Sequence, residues 1–479
     1  MTGYEPLSRA ELLTLLAERD GRIAQLEAEN ADLARRVARL ERLISRNSGN
    51  SSFPPSMDDL PGRTSPRGSP ARGGGKRKPG GQPGSPGSYL AWRRDPDEVV
   101  PHRPDGTCGC GAPLSAAADL GVVASHQLVE LPLSLARVTQ HDLHAVACGC
   151  GRVHRAAPPP GAGRPGTVSY GPQLQAWCVY LIVAHAVPVH RCAALIGALT
   201  GAKPSPGFVH GMLARAAAAV AAPNRLIRAL VILSDVVCAD ETPIRAGPGP
   251  KSSKRYLLVA CTRLLTYYLL GDRSMKTFAA FVLPDLAGSV VVHDRYQNYD
   301  AFPGLAHQLC AAHILRDLAD AAETYPAAHW PVQITQALQG LIHAANTARG
   351  QGLDAVPQDI AAPLEHAFRH GVILGLSQVP AGRAHRALLE CLRGRRDDIL
   401  RFTTDLRIPP TSNQAERDAR PAKTQQKISG RLRSDKTTRH RYAILGYIST
   451  AAKHRADVLT ALRDAITGQP WMPPIPKMP

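Results

Sequence analysis

The chain is short of aromatics, which make up 5% of its 479 residues. It is also short of acids, with Asp and Glu numbering 39 against 57 Lys and Arg. No apolar run approaches the ~18 residues that a membrane helix needs, which argues against a spanning segment. The N-terminus mixes acids into its apolar positions and has no signal-peptide profile, so a cytoplasmic, nucleoid-associated protein is expected. No Walker-type glycine loop is present, so ATP is not expected to take part. The acid deficit leaves a net charge of +18 and a pI near 9.7, which favours a polyanionic partner, nucleic acid before acidic membrane. A merely solvated basic surface is the plain alternative. The length exceeds one ordinary core and implies several domains.

Residues 8–46 carry the strongest periodicity. Ile23, Asn30, Val37 and Ile44 fall at a positions, and Leu26, Leu33 and Leu40 at d. A β-branched a set, Leu at d and one Asn in the seam suit a parallel two-stranded coiled coil, with Arg22 facing Glu27 and Arg36 facing Glu41 of a partner. A single amphipathic helix is the alternative. A tether follows over 47–100, and its stretch 61–87 holds nine Gly, six Pro, six Lys or Arg and no acid. Such a segment cannot bury a core, although Lys76, Arg77 and Lys78 could touch phosphate backbone.

Two Cys-Gly-Cys-Gly turns, at Cys108/Cys110 and Cys148/Cys150, flank a β-like stretch within 101–160. Four thiolates make the ligand set of a structural Zn²⁺, here in a zinc-ribbon-like module, although the usual ribbon spaces its cysteines by two residues rather than one. Disulfides or free thiols are the alternatives. Residues 165–228 read as helices around a Gly/Pro turn, with Ser205 capping the second. A helix-turn-helix contacting DNA and an ordinary helical hairpin both fit.

From Leu230 the pattern changes to five short strands, "LVILSDVVCAD", "KRYLLVACTR", "LLTYYLLGD", "GSVVVHDRY" and "HQLCAAH", with a helix at "SMKTFAAFVLPDL". The reading is a mixed α/β sheet over 229–318, a helical insertion over 319–404 and a return to the sheet over 405–470. Asp240 ends the first strand and Asp294 the fourth. If those strands are neighbours, both carboxylates leave the same edge, and Glu416 in "SNQAER" is the best third acid. Three carboxylates tolerate one another around Mg²⁺ (or Mn²⁺), and two such ions serve phosphodiester chemistry. The plain alternatives are turn-forming Asp residues and a capping box from Asn413 to Glu416. Arg417, Arg420, Lys423, Lys427, Arg431 and Arg433 are candidates for holding phosphate, or form a solvated basic face. Cys310 and His313 lack two further zinc ligands and read as side chains packed behind the acids.

The motifs "NSGNSSFPPS", "ADETPIR", "VVHDRYQNYD", "LCAAHILRDL" and "SNQAERDARPAKTQQKISGRLRS" resemble those of the insertion sequence 66 family of bacterial transposases, in the same order along nearly the whole chain. The resemblance implies a ribonuclease-H-like core with Asp240, Asp294 and Glu416 as an Asp-Asp-Glu triad. It also implies double-stranded DNA (element ends and target) as the partner, strand cleavage followed by strand transfer, and small companion proteins beside it. The 122 residues from Asp294 to Glu416 are accommodated by the helical insertion that the family carries. A nuclease that cuts without joining, or an inactive DNA-binding relative, are the competing functions.

Overall fold

The computed structural model describes residues 8–45, 92–129, 135–157, 168–247, 254–286, 288–302 and 304–475. The tether through residue 91, with Lys76, Arg77 and Lys78, lies outside the described residues. The chain divides into two units, residues 68–136 and the remainder.

In the smaller unit none of the described residues is buried. It includes a turn in which Cys108 N donates to Ala112 O (2.9 Å) and Gly111 N to Cys108 O (2.8 Å). Gly111 closes it at φ +91°, a conformation that glycine adopts without strain.

The larger unit begins with α1 (Arg9–Ser45). A two-stranded hairpin, β1 (Ala145–Ala147) with β2 (Val153–Arg155), then carries the second cysteine turn. There Cys148 N donates to Arg152 O and Gly151 N to Cys148 O, both at 2.8 Å, repeating the hydrogen bonds of the Cys108 turn. The strands expected upstream are not formed at 126–129 or 135–144, where few residues can be covered by a core.

Helices α2 (Pro172–Val183), α3 (Val189–Thr200), α4 (Pro206–Ala219) and α5 (Ala221–Ile232) follow. Ser205 caps α4 as expected, accepting from Phe208 N at 3.1 Å. Helix α5 takes up Leu230–Ile232, which read as strand from composition; its apolar stripe (Ile227, Leu230, Val231) packs on one sheet face, so a helical spacing fits as well.

The sheet contains β3 (Val236–Arg245), β4 (Lys254–Cys261), β5 (Thr266–Gly271), β6 (Val290–His293) and β7 (Ala306–Leu309), in the order β5-β4-β3-β6-β7. The first three strands form an antiparallel meander, and β6 and β7 run parallel to β3. Only a short α6 (Met275–Ala279) and a 3-10 turn at Leu283–Asp285 link β5 to β6, since Pro284 interrupts the expected helix.

Side chains alternate across this sheet. Val237, Ala239 and Val291 meet α5, Phe278, Phe281 and Tyr299 on one face. Cys238 and Val292 meet the other face, shared with α2, α4, α12 (Asn413–Ser429), α13 (Asp435–Lys453) and α14 (Val458–Ile466).

Between β7 and α12 lie α7 (Ala311–Thr324), α8 (Trp330–Gly350), α9 (Gln358–Gln378), α10 (Arg386–Gly394) and α11 (Arg396–Leu400). Gly375 lets α9 approach closely: a Cβ there would stand 2.5 Å from Leu389 and 3.0 Å from Trp330. The two ends of this block meet, because Ala311 N donates to Pro410 O (2.9 Å) and Ser412 N to Cys310 Sγ (3.2 Å).

Candidate active site

Strand β3 does not end at Asp240. It continues to Arg245, pairing with β4 throughout, whereas its pairing with β6 stops at Cys238 opposite Val292. Asp240 therefore sits two residues beyond the last β6 pair, and Asp294 two residues beyond Val292. Adjacent parallel strands in this register turn both carboxylates to one face, that of Cys238 and Val292. Helix α12 crosses this face with Ala415, Ala419 and Ala422 buried against the sheet, and Glu416 lies in its first turn.

The Asp240 carboxyl feels the charges of both other acids. Burial pushes the Asp240 carboxyl up to about 8, helped by the charges of Glu241, Asp294 and Glu416 and opposed by His313. Asp240 Oδ1 accepts from Glu241 N and Asp294 Oδ1 from Tyr296 N, both at 2.9 Å. The donor set is all carboxylate oxygen, which suits a hard divalent cation, and a carboxyl driven toward its protonated form by negative neighbours is what such a cation would relieve. Among the described residues the acids do not draw their oxygens within 4.8 Å as a threesome; His293, Asp300 and His307 do.

Helix α7 supplies the opposite charge. His313 Nε2 stands 3.9 Å and Arg316 Nη1 3.7 Å from Glu416 Oε1. Burial alone would lower the His313 pKa, but the Cys310 sulfur and the Asp294 charge bring it up to about 9. Cys310 is buried where β7 enters α7, and its thiol is held below its usual range, against burial, by His313 and the Ser412 amide. Among the described residues no cluster of three metal-ligating side chains includes Cys310 or His313. Arg316 was missed from sequence; its only signal was its place one turn after His313.

On α12, Lys423 lies close enough to Asp240 to feel its charge. Its Nζ donates to Pro243 O at 3.0 Å, and the Asp240 charge works against the burial that lowers its pKa. Arg417, Arg420, Lys427 and Arg433 are exposed, whereas Arg431 donates to the Gly247 carbonyl. The Asn413–Glu416 capping box does not form. Ser412 occupies the cap without a side-chain bond, and Glu416 N donates to Ser412 O at 3.2 Å, which leaves the Glu416 carboxylate free of that role.

The neighbouring acids are structural. Asp418 is buried, pairing with Lys453 Nζ (2.6 Å) and Thr266 Oγ1 (3.0 Å). Glu241 points to the opposite face, bonded to Tyr299 Oη (2.8 Å) and Arg273 Nη2 (2.7 Å). Arg273 is itself held against the rings of Tyr256 and Tyr296.

No curated protein matches the chain. A family model described only as a family of unknown function matches residues 5–91. A second, described as Transposase IS66 family, matches residues 167–440, more than half of the chain and all three acids. The chain belongs to the insertion sequence 66 family of transposases.

Proposed function

We propose that this transposase is a metal-dependent polynucleotidyl transferase that cuts DNA at the ends of an insertion sequence and joins the freed ends to target DNA. The observation that carries the reading is the register: Asp240 lies on β3 two residues past its last pair with β6, and Asp294 lies two residues past the matching Val292, just beyond the end of β6, with Glu416 in the first turn of the helix that crosses this face. We read the meander, the two added parallel strands and the helices on the face bearing the acids as a ribonuclease-H-like core with a helical insertion.

Mg²⁺ or Mn²⁺, bound as a pair, would supply activation of the attacking oxygen and charge for the leaving oxygen. Asp240, Asp294 and Glu416 would hold the ions, Asp240 being the acid on which the charges of the other two act. Arg316 and protonated His313 orient Glu416 from α7, and Lys423 is placed to meet a phosphate beside Asp240. In the first step a water oxygen bonds to phosphorus as the 3′ oxygen leaves. In the second, that 3′ hydroxyl bonds to a target phosphorus as the target's own 3′ oxygen leaves. Arg417, Arg420, Lys427 and Arg433 hold the duplex by its phosphates, and α3 and α4 are the candidate helix-turn-helix.

The exposed seam of α1, with Ile23, Leu26, Leu33, Val37, Leu40 and Ile44 all 43–59% accessible, supports a parallel dimer. In each Cys-Gly-Cys-Gly turn the amide of the second cysteine, Cys110 or Cys150, holds the first thiol below its usual range, which favours the thiolate that a structural Zn²⁺ takes.

Strand transfer with precut element ends tests the proposal. Joined product with Mg²⁺, lost in Asp240→Asn, Asp294→Asn and Glu416→Gln while DNA binding persists, is the expected result. Hydrolysis without joining would make the protein a nuclease, and binding without either an inactive relative.

A further inference from the structure

The sheet face opposite the acids carries a second convergence of ligand atoms. His293 ends β6. His307, on β7, is paired across the ladder with Val291, so it shares a face with Val291 and His293. The two rings meet edge to face, with His293 Nε2 and His307 Nδ1 3.0 Å apart. Asp300, from the 3-10 turn Gln297–Ala301, completes a trio whose ligand atoms all lie within 4.8 Å of one another.

We infer that His293, His307 and Asp300 form a site for a transition-metal dication of the Zn²⁺ class, separate from the catalytic acids. Two imidazoles and a carboxylate match what Zn²⁺ takes, and hard Mg²⁺ is not expected to compete for nitrogen. Tetrahedral Zn²⁺ with bonds of ~2.05 Å places two nitrogens about 3.3 Å apart, so the rings need to move only a few tenths of an ångström. His293 is fully buried and stacked on Tyr299, conditions that favour a neutral ring with an available lone pair. Arg395 Nη1 holds Asp300 Oδ1 at 2.7 Å, the kind of outer partner that orients a ligating carboxylate, and its own charge is shared with Asp398. Water would take a fourth position on the exposed Asp300 side. The bound ion would tie β6, β7 and the turn after Asp294 together, one residue from a catalytic acid. A plain hydrogen bond between two neutral histidines, with Asp300 serving only its ion pair to Arg395, is the competing account.

Co²⁺ titration of the full-length, chelator-stripped protein in excess Mg²⁺ distinguishes the two accounts. The expected result is one equivalent of Co²⁺ with visible d–d bands and no sulfur charge-transfer band. His307→Gln should remove that component. Asp300→Asn should weaken it about tenfold or more. Neither should alter any sulfur-ligated Co²⁺. Asp300 is partly exposed, so its variant carries the test if His307→Gln does not fold. Absence of sulfur-free Co²⁺ in the wild type, or its full retention in the Asp300 variant, overturns the site.

Discussion

Asp240 without a cation is held in an unfavourable state, and this has a sign that can be measured. Its carboxyl rises from 3.8 to about 8, so the metal-free fold gains from its proton at low pH and loses that gain as pH climbs through about 8. Glu241, raised to about 7 chiefly by burial, acts in the same direction. The melting temperature of the metal-free protein should therefore fall from pH 6 to pH 9, and the increment given by Mg²⁺ should grow over the same range because the cation displaces a proton. Asp240→Asn should flatten most of both trends in thermal melts. Asp418 behaves differently. Its side chain is 9% exposed against Lys453 at 13%, so Asp418→Asn strands a buried ammonium and should cost about 3–5 kcal/mol in denaturant unfolding. The acids were legible as candidates in the sequence because each lies in a compact motif within or just after a strand, or in a helix's first turn. Arg273 was not, because its partner Glu241 lies 32 residues away and only the folded sheet brings them together. Asp240 and Asp418 look alike in sequence; packing gives one acidic neighbours and the other a lysine.

At the level of elements, the strand that carries Asp240 was located correctly but not its limits. Composition cannot tell Leu230–Ile232 at the end of a helix from the start of a strand, since three apolar residues satisfy both spacings. Nor does it show that β3 outlasts its β6 partner, which depends on which neighbour each strand edge finds. Helix α1 gives a cleaner test. Lys in place of Leu26 and Leu33 should abolish self-association in sedimentation, whereas Asn30→Leu should retain association but loosen the choice of two strands. A monomeric wild-type protein would remove the coiled-coil proposal.

For the molecule as a whole, the charge of +18 is a statement about DNA affinity and its dependence on salt. If Lys76, Arg77 and Lys78 each neutralise one phosphate, replacing all three by Gln should reduce the slope of log K against log salt by about 2.7, at roughly 0.9 per contact. The same measurement on Arg417→Gln and Arg420→Gln separates a tether effect from contacts beside Glu416.

The hydrogen bonds from Ala311 to Pro410 and from Ser412 to the Cys310 sulfur give the helical block a narrow doorway: the backbone departs and re-enters at almost one point. Distance along the polypeptide between Asp294 and Glu416 is thereby uncoupled from distance in space. Helices α8 to α10 are detachable in principle, and a short graft closing the doorway after the first turns of α7 would leave the third acid where it stands. That block could be lengthened, shortened or exchanged without moving Glu416 relative to the sheet.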